Sequence, residues 1–323
     1  METSKHSRTK KPRETTFPQT LQEIILYFSD KETCTTFMAQ IRWPEGVTCP
    51  MCEGKEVSYL STRYIWKCKA CKKQFSVKVG SIMEDSPIGL DKWLAAMWLI
   101  ANAKNGVSSY EIHRALDITQ KSAWFLLHRI RLAMQTGTFE KKMSGEVEVD
   151  ETYIGGLARN MHRDKRHAKI TGTGGNGKVA VMGLLERNGK VRTKVINDAT
   201  QLTLQAEVRN NVEPGAELFT DGWKSYSGLS ADYIHQVIDH AEKYVDGKIH
   251  TNGIENFWSL LKRSIKGTYV SVEPFHLFRY LDEQTFRFNT RKGNDADRFL
   301  DVVKAVAGKR LTHDELTGHQ ICH

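Results

Sequence analysis

The sequence predicts an α+β protein of several domains, on three observations. Two Cys-x-x-Cys pairs, Cys49/Cys52 and Cys68/Cys71, bracket a segment of short strand-like runs. Residues 88–136 carry apolar side chains at helical spacing almost throughout. Residues 145–290 alternate strand and helix patterns in an order that suits a central mixed sheet flanked by helices.

Residues 1–17 are polar and basic, and they read as a disordered arm. Residues 18–42 read as helical: Leu21, Ile24, Ile25 and Phe28, then Phe37, Met38 and Ile41, recur at helical spacing with a break near Ser29-Asp30. In the cysteine segment, 43–80, the strand-like runs are Val57–Leu60, Tyr64–Lys67 and Gln74–Val77. Leu90, Trp93, Leu94, Met97, Trp98 and Ile100 then form one apolar stripe, followed by helices over Ser108–Leu116 and Gln120–Met134. Past residue 145, strands are predicted at Gly145–Gly156, Val179–Glu186 and Lys190–Ile196. The last two are joined by Arg187-Asn188-Gly189, a strong hairpin signal. A helix (Leu202–Val212), strands Glu217–Thr220 and Ile234–Ile238, and helices Asn252–Ile265 and Pro274–Asn289 complete the region. Residues 291–323 read as a polar tail with one helical stretch, Ala296–Val306.

The formal net charge of +9 favours a polyanionic partner. The charge is concentrated: residues 1–13 carry a net +4 and residues 157–178 a net +5, the latter including Arg163 and Arg166. No apolar run is long enough to span a membrane, and no N-terminal apolar stretch resembles a signal peptide. A cytosolic, reducing setting is therefore expected, in which paired cysteines are metal ligands more often than disulfides. Fifteen residues separate Cys52 from Cys68, so two tight knuckles can offer four thiolates to one structural Zn²⁺. A catalytic zinc is disfavoured because four cysteines leave no open coordination position. Lys69, Lys72 and Lys73, with Tyr64, Trp66 and Phe75 interleaved nearby, suit a DNA contact or a docking module.

Ser108–Trp124 has the pattern of a helix-turn-helix, with Thr119 capping the second helix and Gln120 and Lys121 at its exposed first turn. His128, Arg129 and Arg131 would add basic character beyond it, although an ordinary three-helix packing unit has the same pattern. Gly172–Val179 nearly spells a phosphate-binding loop. Val179 replaces the required Ser or Thr and a strand follows, so ATP binding is rejected and a flexible basic insertion is expected.

Three acids stand in dense, unusual clusters: Asp150 in Asp-Glu-Thr-Tyr-Ile-Gly-Gly, Asp221 in Thr-Asp-Gly-Trp, and Glu255 in Ile-Glu-Asn-Phe-Trp. The first falls mid-strand, the second at a strand's end and the third on a helix, an order that fits a ribonuclease-H-like fold. Carboxylates gathered this way can hold two divalent metal ions for phosphodiester cleavage. Glu151 points to the opposite face of its strand from Asp150. His250 precedes the third acid's helix and could contact phosphate or adjust the metal environment. Asn252 reads as that helix's N-cap and Trp258 as core. Lys262 and Arg263 could reach phosphate, and Lys224 and Tyr226 could line a DNA path.

These three clusters resemble those of bacterial insertion-sequence transposases of the DDE superfamily, most closely the ISXO-type group with an N-terminal zinc ribbon. The resemblance covers about residues 18 to 290. It implies that Asp150, Asp221 and Glu255 bind two Mg²⁺ (or Mn²⁺) ions. It also implies nicking at terminal inverted repeats, followed by attack of the freed 3′-OH on target DNA. Double-stranded DNA would be the partner, a homo-oligomer would synapse the two ends, and the setting would be the bacterial cytoplasm and nucleoid. The group's third acid is not always Glu, but here Glu255 completes the set. Two other readings share part of this pattern. A non-catalytic DNA-binding regulator needs only the ribbon and the helices. A ribonuclease-H-like nuclease shares the acids but not the N-terminal modules.

Overall fold

The computed structural model describes residues 17–135, 141–155, 178–221, 224–238 and 250–318. Most of the basic arm, the basic insertion with Arg163 and Arg166, the glycine-rich run as far as Gly177, and Cys322 lie outside the described residues.

The N-terminal half is built around α3 (Leu90–Asn102), which is apolar on nearly every face and correspondingly buried. Helices α1 (Leu21–Tyr27) and α2 (Lys31–Arg42) pack against it. The Thr20/Glu23 capping box starts the first, and the Asp30 side chain caps the second. Strands β1 (Val57–Leu60), β2 (Ile65–Cys68) and β3 (Gln74–Phe75) form an antiparallel ribbon. Helices α4 (Ser109–Leu116) and α5 (Gln120–Met134) are capped by Ser108 and Thr119.

A five-stranded mixed sheet follows. It comprises β4 (Glu146–Ile154), β5 (Val179–Glu186), β6 (Val191–Ile196), β7 (Glu217–Asp221) and β8 (Ile234–Ile238), in the order β6-β5-β4-β7-β8. Strands β6, β5 and β4 run antiparallel, and β7 and β8 join parallel to β4. One face packs Val147, Val149, Met182 and Leu184 against Leu204 and Val208 of α6 (Gln201–Asn211). The other packs Val181 and Leu185 against Ile254, Phe257, Trp258 and Leu261 of α7 (Asn252–Ser264).

Helix α8 (Leu277–Asn289) ties the halves together. Its Glu283, fully buried, accepts a hydrogen bond at 2.7 Å from Arg131 of α5 and pairs with Arg287 one turn on. Burial pushes the Glu283 carboxyl up, but Arg287 and Arg131 outweigh it and hold the group below its ordinary value. His128 and Arg129 are buried as well, and burial pushes His128 down to about 2, so its ring is neutral. The basic stretch of α5 is thus interior rather than a DNA-facing surface, contrary to the sequence expectation.

Residues 291–318 are not a loose tail either. Helix α9 (Asp295–Lys304), started by an Asn294/Asp297 capping box, buries Ala296, Phe299, Val302 and Val303 in the N-terminal core. The Phe299 ring lies 5.6 Å from Trp98 and 6.3 Å from Phe37. A last short helix, α10 (His313–Thr317), buries Leu316. No helix among the described residues is long and apolar enough to cross a membrane.

Candidate active site

Strand alternation divides the side chains of β4 between the two faces of the sheet. Val147, Val149 and Glu151 face α6, whereas Glu148, Asp150 and Ile154 face α7. Strand β7 pairs parallel to β4, with Glu146 beside Glu217 and Glu148 beside Phe219. The paired residues end there; Asp150 and Asp221 each lie two residues further along their strands, near enough for the Asp221 charge to act on Asp150.

The chain fixes Asp150 from two sides. The Trp258 indole N–H donates to Oδ2 at 3.0 Å, and the Glu151 backbone N–H donates to Oδ1 at 2.8 Å. Gly183, directly opposite Asp150 on β5, makes room for the indole, because a Cβ there would lie 2.5 Å from Trp258 Cζ2. Burial, then the neighbouring charges of Glu151 and Asp221, push Asp150 up to about 7. Burial and Asp221 raise Glu151 too, against a hydrogen bond of 2.6 Å donated by Tyr226. Tyr226 is therefore a buried partner on the far face of the sheet, not a residue lining a DNA path. The Lys224 side chain lies outside the described residues.

Glu255 sits in the first turn of α7, exposed, and its Oε1 accepts a hydrogen bond of 3.0 Å from the Thr251 hydroxyl. Trp258, which holds Asp150, is one turn further along the same helix. The N-cap is Thr251, one residue before the Asn252 that the sequence predicts, and Asn252 is the first helical residue. The helix leaves Lys262 and Arg263 exposed about two turns beyond Glu255. The three acids do not converge as tightly as the cysteines do. Among the described residues, Cys49, Cys52, Cys68 and Cys71 form the one set of such ligand atoms mutually within 4.8 Å.

That cysteine set has the dimensions of a metal tetrahedron. Zn–S bonds of about 2.3 Å place tetrahedral sulfurs roughly 3.8 Å apart. The observed separations are 3.7 Å for Cys49–Cys71 and 3.6 Å for Cys52–Cys68. Lys69, Lys72 and Lys73 are exposed on the ribbon, but Trp66 and Phe75 are buried against Trp43 and cannot stack on bases. Lys121 is exposed at the start of α5, whereas the Gln120 amide is turned back to donate to Ser109 at 2.9 Å.

Sequence reasoning passed over Glu148, Arg187, Gly183 and Gly253. Glu148 is 1 % exposed and accepts 2.9 Å hydrogen bonds from Arg187 Nε and from the Ile254 backbone N–H. His250 lies against it, with Nδ1 3.4 Å from the carboxylate, and belongs to this network. The signal was available: a charged residue between Val147 and Val149, in phase with Asp150, must be buried with a partner. Arg187 and His250 also line a cleft of about 820 Å³ beside α7, with Lys104, Asn256, Arg291 and Arg298.

Residues 142–289 match the ISXO2-like transposase domain, and residues 29–74 match the transposase zinc-ribbon domain. A protein of the transposable element ISH50 from Halobacterium salinarum is 26 % identical over 254 residues, covering 74 % of this chain and 84 % of the relative. A transposase-like protein of Haemophilus influenzae is 32 % identical over 101 residues, covering 31 % of this chain and 81 % of the relative. With a DDE domain behind a zinc ribbon, the chain belongs to the ISXO2-like family of insertion-sequence transposases.

Proposed function

We propose that this protein is the DNA transposase of an insertion sequence, binding the element's terminal inverted repeats, nicking at their boundary and joining the freed end to target DNA. The reading is supported by the parallel pairing of the Asp150 and Asp221 strands, by the Asp221 charge acting on Asp150, and by the bond from Trp258 of the Glu255 helix to Asp150. The sheet order, with helices on both faces, is what a ribonuclease-H-like catalytic domain requires.

The donor set suits hard divalent cations, since it offers carboxylate oxygens only. Burial, then the charges of Glu151 and Asp221, raise the Asp150 carboxyl, and a bound cation would offset both. Asp150, Asp221 and Glu255 would hold two Mg²⁺ or Mn²⁺ ions, whose chemistry is to activate the attacking oxygen and stabilise the leaving one. The chain's own part is orientation. Trp258 and the Glu151 amide aim the two Asp150 oxygens, and Thr251 aims Glu255. In the first step a water loses a proton and its oxygen bonds to the scissile phosphorus as the P–O3′ bond breaks, which leaves a 5′-phosphate, and the departing 3′-oxygen takes up a proton to become a hydroxyl. In the second, that 3′-OH loses its proton and bonds to a target phosphorus as the target P–O3′ bond breaks, and the displaced target 3′-oxygen takes up a proton.

Exposed Lys69, Lys72 and Lys73 of the ribbon, Lys121 of α5, and Lys262 and Arg263 of α7 offer phosphate contacts. Arg163 and Arg166 of the basic insertion add charge in the same chain. The ribbon would hold one structural Zn²⁺. Two or more protomers would bring the element's ends together.

The test is substitution of the acids one at a time. Asp150→Asn, Asp221→Asn and Glu255→Gln should each abolish nicking while leaving repeat binding within about threefold. Loss of binding together with nicking would overturn the assignment.

A further inference from the structure

Each proposed metal ligand stands on a different element, so their mutual placement depends on how β4, β7 and α7 are held together. One ion pair, with Glu148 buried and Arg187 partly exposed, touches all three. The Glu148 carboxylate, two residues before Asp150 on β4, accepts from the Ile254 N–H in the first turn of α7. Arg187 donates to Glu148 through Nε at 2.9 Å and to the His250 carbonyl, just ahead of α7, through Nη2 at 2.7 Å. The same guanidinium lies 3.8 Å from the ring centroid of Phe219, two residues before Asp221 on β7.

Helix α7 also lacks the usual local cap. Its N-cap Thr251 makes no side-chain bond to the helix's own backbone, because that hydroxyl is turned to Glu255. An N–H in the first helical turn has no partner within the helix, and here Glu148 supplies one from the neighbouring strand. A carboxylate at a helix N-terminus is favoured electrostatically as well. Gly253 permits the approach: a Cβ there would lie 2.5 Å from Leu185 Cδ2 and 2.7 Å from Glu148 Oε2.

We propose that Glu148 and Arg187 are positioning residues, forming a clamp that holds the Glu255 helix in register with the strands bearing Asp150 and Asp221. Glu148 thereby leaves cation binding to the other acids and sets their spacing. The role given to those acids rests on the transposase reading above.

Two variants test the clamp by independent routes. E148Q keeps the size of the side chain but loses the charge that Arg187 faces, and G253A sets a methyl group against the Glu148 carboxylate and Leu185 without altering any charge. Both variants are first checked for a cooperative melt. Backbone hydrogen exchange over residues 252–258 should quicken about tenfold or more in each. The Mn²⁺ concentration for half-maximal nicking of terminal-repeat DNA should rise about tenfold. At saturating Mn²⁺ the maximal rate should return to within about threefold of the parent. Unchanged exchange over 252–258 would overturn the clamp. So would a fall in maximal rate at an unchanged Mn²⁺ midpoint, which marks mere loss of folded enzyme. Mn²⁺ binding by the metal-binding acids is read separately, by paramagnetic resonance of free Mn²⁺ with the parent and Asp221→Asn. Equal binding by those two would refute the metal-ligand reading, and the exchange result would still decide whether the clamp exists.

Discussion

Replacing Asp150 with asparagine is expected to make the metal-free protein more stable at pH 8 and to leave it nearly unchanged at pH 5. The Asp150 carboxyl is raised from 3.8 to about 7 in the folded protein, chiefly by burial and then by Glu151 and Asp221. The folded state therefore holds this proton more tightly than the unfolded chain does. Stability from that source is full below pH 3.8 and is lost as pH rises through about 7. At about 1.4 kcal/mol per pKa unit, the loss is about 4.3 kcal/mol at pH 8 and about 1.7 kcal/mol at pH 5. Asparagine removes this penalty but keeps only one acceptor for the two donors, Trp258 and the Glu151 amide, which costs about 1–2 kcal/mol. The net gain is about 3 kcal/mol at pH 8 and near zero at pH 5. With an unfolding entropy of about 2.1 cal/mol/K per residue, this raises the melting temperature at pH 8 by about 4 °C. Thermal melts of both proteins in EDTA at the two pH values read the difference. Added Mg²⁺ should stabilise the parent more than the variant. A variant less stable than the parent at pH 8, or an equal difference at both pH values, would refute the reasoning.

The other expectations concern the framework. Phe299→Ala should cost about 3–5 kcal/mol in a urea melt followed by tryptophan fluorescence, because the ring packs on Trp98 in the N-terminal core. A cost below about 1 kcal/mol would mean that α9 contributes little there. Glu283→Gln leaves Arg131 and Arg287 buried without their carboxylate and should cost about 3–5 kcal/mol in the same assay. Metal analysis should find one zinc per chain and none in Cys68→Ser, which should also become protease-sensitive across residues 43–80. Full zinc retention in that variant would contradict the tetrad.

Local signals in the sequence were read well because short-range physics decides them. The hairpin at Arg187-Asn188-Gly189 forms with Asn188 at φ 58°, the left-handed conformation that Asn tolerates. Thr119 caps the helix it was expected to cap, and the helix expected from Ser108 starts one residue later, with Ser108 as its N-cap. The first two acids could be placed because strand alternation and strand ends leave a pattern in the sequence. What escaped was set by distant partners. Arg131 reads as a surface cation until Glu283, 152 residues away, is seen to bury it. Trp66 and Phe75 read as exposed aromatics until Trp43 covers them. The C-terminal helix looked like a tail because its apolar stripe is short and its receiving core lies about 200 residues earlier. Glu148 was overshadowed by Asp150, although its place between two valines required a buried partner.

The most direct test of the central claim is to incubate the purified full chain with end-labelled DNA carrying the element's own terminal repeats, with Mg²⁺ or with EDTA. The account predicts a nick at the repeat boundary that leaves a 3′-OH, appears only with the metal, and is absent with Asp221→Asn. Specific binding of the repeats with no cleavage under Mg²⁺ or Mn²⁺ would contradict it.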